Sequence, residues 1–406
     1  MSVQARDRVA RQSPLTGTAL LTVAVLLVAA NLRPAVTSLG SVLEEVRGSL
    51  GASTVLASLL TALPPVCFGL AGLAAPVITR RLGMARAVGF AVAVLAAGIA
   101  VRVAGGEAVM LLGTFVACGG IAVCNVLIPV VIKQSYPARI GVLTGLYTAS
   151  LQSAAALGSA LTPPLDDALG GWRPALGAWV SVALLALLCW AAASYHGARR
   201  PTDTDVPERG PAERKPRGVR SMLRTPLAWQ ITGYFGLQSF FAYVIMGWLP
   251  EVLVDAGVSR ATAGVLLGVI SLLGVPISLL IAPLAARQHS QVWWAAGLPA
   301  LSLLGTLGLL FAPAAAPLLW SLLVGAGMGS FAIAVALISL RSATADTQAL
   351  STMTQSVGYL IAALGPLAFG VLHGITGDWT VSFVLVLAVI TTQCLLGVFA
   401  GRPRHV

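Results

Sequence analysis

The amino-acid sequence predicts an all-α membrane protein in which twelve transmembrane helices form two parallel six-helix repeats. Three observations predict this fold class: the 406 residues are 57% hydrophobic, only 10% of them are charged, and apolar runs recur along nearly the whole chain. A soluble globular domain carries about 25% charged residues. A chain with so few charges cannot cover its surface with polar groups, so most of that surface faces lipid.

The apolar runs are continuous, as helices require, whereas the strands of a membrane β-barrel alternate apolar and polar residues. A helix crosses the bilayer with about 20 apolar residues. Twelve runs meet this length, and we predict spans at 17–40, 54–79, 84–103, 107–132, 140–164, 173–195, 227–249, 260–286, 291–312, 317–340, 347–374 and 379–400.

One long polar segment, 196–225, separates the sixth span from the seventh and is rich in Pro, Arg, Asp and Glu. This composition is typical of a solvated, disordered linker. We therefore divide the chain into a first six-helix half at 1–195, a linker at 196–225 and a second six-helix half at 226–406.

The net charge of +11 is distributed unevenly between the two sides of the predicted bundle. Of the 25 Lys and Arg residues, 20 fall on the side with both termini and the linker, 4 fall on the opposite side, and Arg33 lies within a span. Cytoplasmic loops carry the excess of Lys and Arg. We therefore predict a multi-pass protein of the inner or plasma membrane with both termini cytoplasmic, surrounded by lipid and without a nucleic-acid partner.

The two halves repeat one another at an offset of about 207 residues. The tetrapeptide at 155–158 recurs at 362–365, and the Gly170 and Trp172 pair before the sixth span recurs as Gly377 and Trp379 before the twelfth. Parallel six-span repeats are the major facilitator arrangement, in which the substrate site lies near the bilayer midplane between the halves.

Arg33 is the one charged residue that the predicted spans leave well inside the membrane. An arginine at that depth costs about 2.5 to 3.5 kcal/mol on insertion scales, so it predicts a functional site. All fourteen carboxylates fall in or near loops, which leaves Arg33 without a partner at mid-depth. A buried cation in a water-filled cavity favours an anionic substrate as its counter-ion.

Other polar side chains accompany Arg33 in the spans. Asn31 and Thr37 flank the helix break that Pro34 predicts, although residues two apart, such as Asn31 and Arg33, do not share a face. At the midpoints of other spans we predict substrate contacts from Asn125, Tyr147, Gln152, Tyr234, Gln238, Tyr243, Gln355 and Tyr359. The i, i+4 pairs Tyr234 with Gln238 and Gln355 with Tyr359 are the predicted wall of the second half.

The sequence favours neither an enzyme nor a metal or cofactor site. An enzyme embedded in the membrane needs a cluster of His, Cys or acidic residues at membrane depth, and the spans contain no such cluster. The five cysteines lie in apolar runs without paired short spacing, so we interpret them as packing residues. A sensor needs a further signalling domain, and 196–225 is too short to form one.

Four stretches together resemble the cyanate and nitroimidazole transporter family of the major facilitator superfamily. They are NLRPAVTSLG at 31–40, LLTALPPVCFGL at 59–70, IPVVIK at 128–133 and YFGLQSFFAYVIMGWLP at 234–250. The resemblance covers nearly the full chain and implies an inner-membrane permease for a small solute. By position, the family motifs fall on Asn31, Arg33, Pro34, Thr37 and Ser38 in the first span, Pro129 and Lys133 in the fourth, and Tyr234, Tyr243 and Trp248 in the seventh.

The chain departs from superfamily patterns at two places. Arg80 and Arg81 stand in the loop that usually carries an Asp-Arg-x-Gly pattern, and Gly158 is followed by Ser159 where drug/proton antiporters have Gly-Pro. The second departure weakens an export function. We assign gating roles to Arg80, Arg81 and Lys133 on the cytoplasmic side.

These observations predict a permease that moves a small anion or a small planar polar solute, such as cyanate, by alternating access. We expect it to act as a monomer on a small-molecule substrate, with Arg33 as the main electrostatic anchor. The alternative is an exporter of nitroimidazole-like or other drug or metabolite compounds, which predicts neutral or cationic substrates.

Overall fold

The computed structural model describes residues 19–136, 139–197, 219–342 and 346–404, and within these ranges the chain forms α-helices joined by short turns. The first half contains α1 (Ala19–Ala29), α2 (Pro34–Ser41), α3 (Leu43–Leu50), α4 (Thr54–Leu82), α5 (Met84–Arg102), α6 (Glu107–Ser135), α7 (Ile140–Leu169), α8 (Trp172–Gly177) and α9 (Trp179–Gly197). The second half contains α10 (Val219–Met222), α11 (Pro226–Asp255), α12 (Arg260–Ala286), α13 (Val292–Phe311), α14 (Pro317–Met328), α15 (Ser330–Leu340), α16 (Thr347–Thr376) and α17 (Thr380–Ala400).

Ten helical segments within the described residues are long and apolar enough to cross a membrane, with α1 and α2 counted as one segment. α4 and α7 have 29 and 30 residues and occupy the positions of the second and fifth predicted spans. The all-helical membrane fold predicted from composition is thus confirmed, and the total of twelve spans stays a prediction. Most of the predicted linker, 198–218, lies outside the described residues.

The helices run back and forth between two ends of the bundle. The end where the described chain starts and stops is called the termini end. The opposite end is called the far end, and it holds the turns at 51–53, 103–106, 170–171, 256–259, 312–316 and 377–379. At the far end Gly51, Gly170, Gly257 and Gly377 all adopt positive φ, which suits glycine. Ser53 and Ser259 cap the following helices through their side chains.

The packing within each half repeats at the offset predicted from the sequence. In the first half Gly98 of α5 lies against the backbone of Ala117, and in the second half Gly305 lies against Val324. Gly120 packs on Ala91 and Leu95 of α5, and 207 residues later Gly327 packs on Leu298 and Ser302 of α13. A side chain at any of these glycines would overlap the neighbouring helix. Equivalent helix pairs therefore approach equally closely in the two halves.

The halves contact each other through α4 with α16, α7 with α12 and α2 with α11. Glycines that correspond in the repeat also make contacts between the halves: Gly40 of α2 lies against the carbonyl of Met246, and Gly247 of α11 lies against the side chain of Thr61 in α4. A buried apolar cluster near the far end combines residues of both halves, including Leu43 and Trp248. The two halves therefore close together toward the far end.

Candidate functional site

A cavity of about 360 Å³ lies between the two halves. Most of its lining residues sit at the middle of their helices or on the side toward the termini end. Arg33, Phe68, Asn125, Pro129, Tyr147, Thr148, Leu151, Gln152 and Ala155 line it from the first half. The second half contributes Gln238, Ser239, Ala242, Tyr243, Met246, Ile270, Ser271, Gly274, Met328, Gly329, Phe331, Ala332, Val335, Gln355 and Tyr359.

Arg33 is the one charged side chain in this lining, as far as the described residues go. It is partly buried, and its Nη1 lies 3.7 Å from the sulfur of Met246 in the opposite half. The ion pairs among the described residues join other groups, all at the far end of the bundle. The cavity therefore has positive charge at one wall and no carboxylate in the described part of its lining.

A break in the first membrane span brings Arg33 to the cavity. α1 ends at Ala29, residues 30–33 form turns, and α2 begins with Pro34 at its first position. Proline suits this position because its missing N–H would have no partner inside the helix. Arg33 is the N-cap residue of α2, so its side chain projects from the backbone at the interruption between α1 and α2.

Asn31 and Thr37 do not line the cavity, although both were predicted as substrate contacts. The Nδ2 of Asn31 donates to the carbonyls of Leu27 and Val182, at 2.7 and 3.2 Å. The hydroxyl of Thr37 donates to the Ala155 carbonyl at 3.0 Å. Both side chains are buried, and their hydrogen bonds attach the two sides of the break to neighbouring helices.

Aromatic rings form a second wall of the cavity. Phe68 of α4 makes edge contacts with Tyr359 and Tyr243, at centroid separations of 5.4 and 6.3 Å. Tyr147 donates through its hydroxyl to the Oδ1 of Asn125 at 3.3 Å. The phenols of Tyr147, Tyr243 and Tyr359 all lie within electrostatic range of the Arg33 guanidinium. The four rings and the guanidinium thus surround one volume.

Three glutamines supply neutral polar groups to the same cavity. Gln152 of α7 donates to the Ser271 carbonyl in the opposite half at 3.0 Å, and Gln355 donates to the hydroxyl of Ser351 at 2.7 Å. Gln238 donates to the Met328 carbonyl at 3.3 Å. Its Oε1 accepts from Gln393 at 2.9 Å and from Ser330, so a buried amide network holds it in place.

Tyr234 lies outside the cavity, in contrast to the prediction that it shares a wall with Gln238. Its ring packs against Gly397 of α17 and is fully buried. Gln238 is one turn closer to the far end and reaches the cavity. The pair Gln355 and Tyr359 does lie together on the lining. Sharing a helix face is therefore insufficient to place both members of a pair in the same cavity.

Comparisons with known proteins connect this architecture to a family. The model of the Major Facilitator Superfamily matches residues 18–366. The chain belongs to the Major Facilitator Superfamily. The 2-nitroimidazole transporter of Escherichia coli (strain K12) is 36% identical over 391 residues, covering 95% of this chain and 96% of that protein. The cyanate transport protein CynX of the same organism is 29% identical over 361 residues, covering 87% and 90% of the two chains.

A solved structure supports the same fold at low sequence identity. The inward-facing and occupied form of a bacterial homologue of the human lysosomal transporter Spinster has a TM-score of 0.76, with 14% identity. The match covers 96% of this chain and 97% of that one. This major facilitator chain is thus a multi-pass membrane transporter, and its relatives are transporters.

The far end of this superfamily member carries ion pairs between the halves that were not foreseen from the sequence. Arg47 pairs with Glu251 of the second half at 2.7 Å. Arg260 pairs with Glu45 and Asp166 of the first half at 2.6 and 2.5 Å. Burial raises the pKa of Glu45 above its ordinary value, although the charge of Arg260 opposes this. We call these five residues the far-end latch.

The predicted gating residues lie elsewhere. Arg80 and Arg81 are exposed in the last turn of α4, and Lys133 is exposed in the last turn of α6, all at the termini end. Their gating role stays a prediction. From the sequence alone, the acids of the far end fall in or near loops and cannot be paired, because their partners come from separate spans.

A second interior arginine corrects the prediction that Arg33 is the single charge inside the spans. Arg102 lies at the end of the predicted span 84–103 and was counted among the four basic residues of the side opposite the termini, yet its side chain is fully buried and its Nη1 donates to the Ala35 carbonyl at 2.7 Å. The physical reason is that helical side chains tilt toward the N-terminus of their helix. An arginine at the last residue of α5 therefore reaches back into the bundle.

Proposed function

We propose that this transporter is a permease that moves a small anion or a small planar polar solute across the inner or plasma membrane. In this proposal the substrate binds between the halves, at the cavity that Arg33 lines, and the halves alternately open each end of the bundle. Both termini are cytoplasmic, and the chain acts as a monomer. The observation that carries the proposal is the single charge in the described lining of the cavity, a guanidinium without a carboxylate partner.

Electrostatics favours an anionic or electron-rich substrate. A guanidinium in a site of low dielectric needs a counter-ion, and its planar fork of donors matches a carboxylate, nitro or cyanate group. An organic cation would lie next to a like charge in the same cavity. The partial positive charge at the start of α2 adds to the attraction of an anion near Arg33.

The size and the walls of the cavity favour a small planar molecule. At about 360 Å³, the cavity is at the lower end of the range of about 300 to 1,000 Å³ for small-molecule sites. A three-atom anion would occupy part of it and retain water. Phe68, Tyr243 and Tyr359 offer ring faces and edges to a flat solute, and Gln152 and Gln355 offer amides for hydrogen bonds.

Export of nitroimidazole-like compounds is the second candidate. The relative named as a 2-nitroimidazole transporter favours this class of solute, with 36% identity over most of both chains. A nitro group carries partial negative charge on two oxygens in a plane, so Arg33 can donate to it as well, with a weaker attraction than to a full anion. The two candidates therefore share one binding site and differ in the charge of the solute and the direction of transport.

The closed far end supports alternating access. The far-end latch and the mixed apolar cluster hold the halves together there, and the cavity lining is displaced toward the termini end. With cytoplasmic termini, this arrangement corresponds to a transporter open toward the cytoplasm. Transport then requires separation of the latch residues while the cytoplasmic ends approach.

The test is thermal stabilisation of the purified protein by a panel of cyanate, nitrate, bicarbonate, acetate, neutral nitroimidazoles and organic cations. A ligand at 100 times its Kd stabilises the folded state by about 2.7 kcal/mol. We expect stabilisation by a small anion or a nitroimidazole in wild type and in Arg86→Ala, a control at an exposed arginine. Arg33→Ala should fold and lose the effect, and Arg33→Lys should retain part of it.

Two outcomes would contradict the proposal. Stabilisation by organic cations alone would assign the cavity to a different substrate class. An unchanged anion effect in Arg33→Ala would remove the guanidinium from the binding site. Uptake and efflux measured in proteoliposomes with the stabilising compound then separate the permease from the exporter.

A further inference from the structure

Arg102 is a fully buried cation whose role the cavity does not explain. Within the described residues its Nη1 donates to the Ala35 carbonyl, while its Nε and Nη2 are buried without a hydrogen-bond partner. A buried charge that is only partly satisfied is expensive. An arginine that served packing alone could be replaced by an apolar residue at lower cost.

The bundle is built closely around this side chain. Gly113 of α6 lies against the backbone of Arg102, and a side chain at Gly113 would overlap it. Because α5 and α6 approach so closely here, the Arg102 side chain extends away from α6, into the first half and toward α2. Arg102 is thus held on one side while its free end bonds to α2.

The acceptor belongs to the segment that presents Arg33. Ala35 is the second residue of α2, two positions after Arg33 and directly after Pro34. Between Ala29, where α1 ends, and Pro34, the backbone bonds are turn bonds such as that from Leu32 N–H to the Ala29 carbonyl, and Pro34 has no N–H to donate. The direction of α2 depends on bonds to other helices, and the bond from Arg102 is the charged one among them.

The second half shows the same position without an arginine. The residue 207 positions after Arg102 is Leu309, which is also buried. The helix that corresponds to α1 and α2 is α11, which runs without interruption from Pro226 to Asp255. The arginine occurs in the half in which the first helix is broken, and a leucine occurs where the helix needs no support.

We propose that Arg102 is a positioning residue that fixes α2 through the Ala35 carbonyl and thereby aims Arg33 into the cavity. This inference rests on the proposed function, because Arg33 is its target. Arg102 does not contact the substrate. Its removal changes where the Arg33 charge lies and leaves the fold of the first half in place.

The first test compares fold stability with ligand binding in Arg102→Leu, which installs the residue of the second half. Replacement of a buried charge by an apolar residue is often neutral or stabilising. We therefore expect an unchanged or higher melting temperature without ligand. We also expect an affinity at least tenfold lower for the compound that stabilises wild type in the panel. Arg102→Lys should recover part of the affinity, since it can still donate to Ala35.

Arg173→Leu is the matched control. Arg173 also donates to backbone carbonyls, those of Val103 and Gly105 at 2.9 and 2.8 Å, but it does not hold α2. It should retain the affinity of wild type. If Arg102→Leu fails to fold, Arg102→Met keeps the long straight side chain and takes its place. Wild-type affinity in the folded Arg102 variant would overturn the inference.

A second test needs no substrate. In a background without the five native cysteines, Thr148→Cys places a thiol on the cavity lining, and the rates of an anionic and a neutral methanethiosulfonate reagent are compared. At an effective dielectric constant near 20, a guanidinium about 12 Å from the thiol raises the anionic rate relative to the neutral one by about tenfold, and a closer one raises it more. We expect Arg102→Leu to lower this ratio to the value of Arg33→Ala.

The outcomes separate the two proposals. A ratio that falls in Arg102→Leu, but falls no further when Arg102→Leu is added to Arg33→Ala, supports the positioning role, because the charge of Arg102 itself then has no effect on the thiol. This holds even if no panel compound binds wild type, in which case only the proposed function fails. The parent here is the cysteine-free protein with Thr148→Cys alone. If Arg102→Leu has the same ratio as this parent, the positioning role is overturned and the proposed function is left intact. Equal ratios in the parent and in Arg33→Ala mean that Arg33 does not place its charge in the cavity, and the positioning role is then overturned as well.

Discussion

The first membrane helix of each half occupies a corresponding place in the bundle, yet the two helices differ in continuity and in charge. In the first half the helix stops at Ala29, restarts at Pro34 and carries Arg33 at the interruption. In the second half α11 continues through Phe240, the residue 207 positions later, which is buried. The glycine contacts repeat between the halves, but Arg33 and Arg102 do not, since Phe240 and Leu309 stand at the equivalent positions.

In the proposed binding site, this difference gives the two halves different roles. The first half contributes the cation and its support from Arg102, and the second half contributes neutral amides such as Gln238, which Ser330 and Gln393 hold. A repeated scaffold can therefore keep its packing while one copy acquires charge. The following experiments test that separation, from the largest expected effect to the smallest.

Exchange of the two central residues should have very unequal consequences. Phe240→Arg puts a cation in a buried apolar cluster without a helix break, and the cost should reach about 3 kcal/mol or more. We expect a strong loss of folded protein in the membrane, measured by detergent-resistant monomer on size-exclusion chromatography. Arg33→Phe should accumulate like wild type. Equal yields of the two variants would show that the halves tolerate charge equally.

The repeated glycine contacts should respond alike. Gly98→Ala and Gly305→Ala each insert a methyl group where α5 meets α6 or α13 meets α14, and overpacking typically costs about 1 to 3 kcal/mol. We expect both to lower the melting temperature, whereas Gly119→Ala, at a position with open space, should not. A large loss in one half alone would contradict equivalent packing.

Repair of the broken helix should weaken binding. Pro34→Ala restores a backbone N–H and allows α1 and α2 to join, which changes the direction of Arg33. We expect about a tenfold loss of affinity, or 1.4 kcal/mol, without loss of melting temperature. Pro250→Ala in the unbroken α11 is the control and should keep wild-type affinity. The check is a ligand titration followed by thermal shift.

Removal of latch charges should produce the smallest effect. Arg260 contacts two carboxylates of the first half, and Arg47 contacts one carboxylate of the second half. Partly exposed ion pairs contribute about 1 kcal/mol or less. We expect Arg260→Ala to increase labelling of Ala57→Cys at the far end more than Arg47→Ala does. The reverse order would assign the closure to Arg47.

The sequence predicted the fold and part of the site for a simple reason. Apolar runs and charged residues can be read directly along the chain. The spans were therefore found from the length of the apolar runs, and Arg33 was found as the charged residue left within them once those in or near loops were set aside. Gln355 and Tyr359 followed from helical spacing. Arg102 could not be placed because a helix boundary locates its Cα, whereas its guanidinium reaches back into the bundle to the Ala35 carbonyl.

Tyr234 and the far-end latch escaped prediction because neighbouring helices decide their surroundings. The ring of Tyr234 fits beside Gly397, which is distant in sequence. Arg260 meets Glu45 and Asp166, which belong to two other helices. No spacing along the chain encodes such contacts, so they require the packed arrangement of both halves.

The contacts of Gly40 with Met246 and of Gly247 with Thr61 have a consequence for the speed of transport. Ordering a long side chain at an interface costs up to about 2 kcal/mol of conformational entropy, whereas glycine has no side chain to order. Halves that meet through glycines can separate and rejoin without freezing rotamers each time. In the proposed alternating-access cycle, these glycine contacts favour rapid separation and rejoining of the halves.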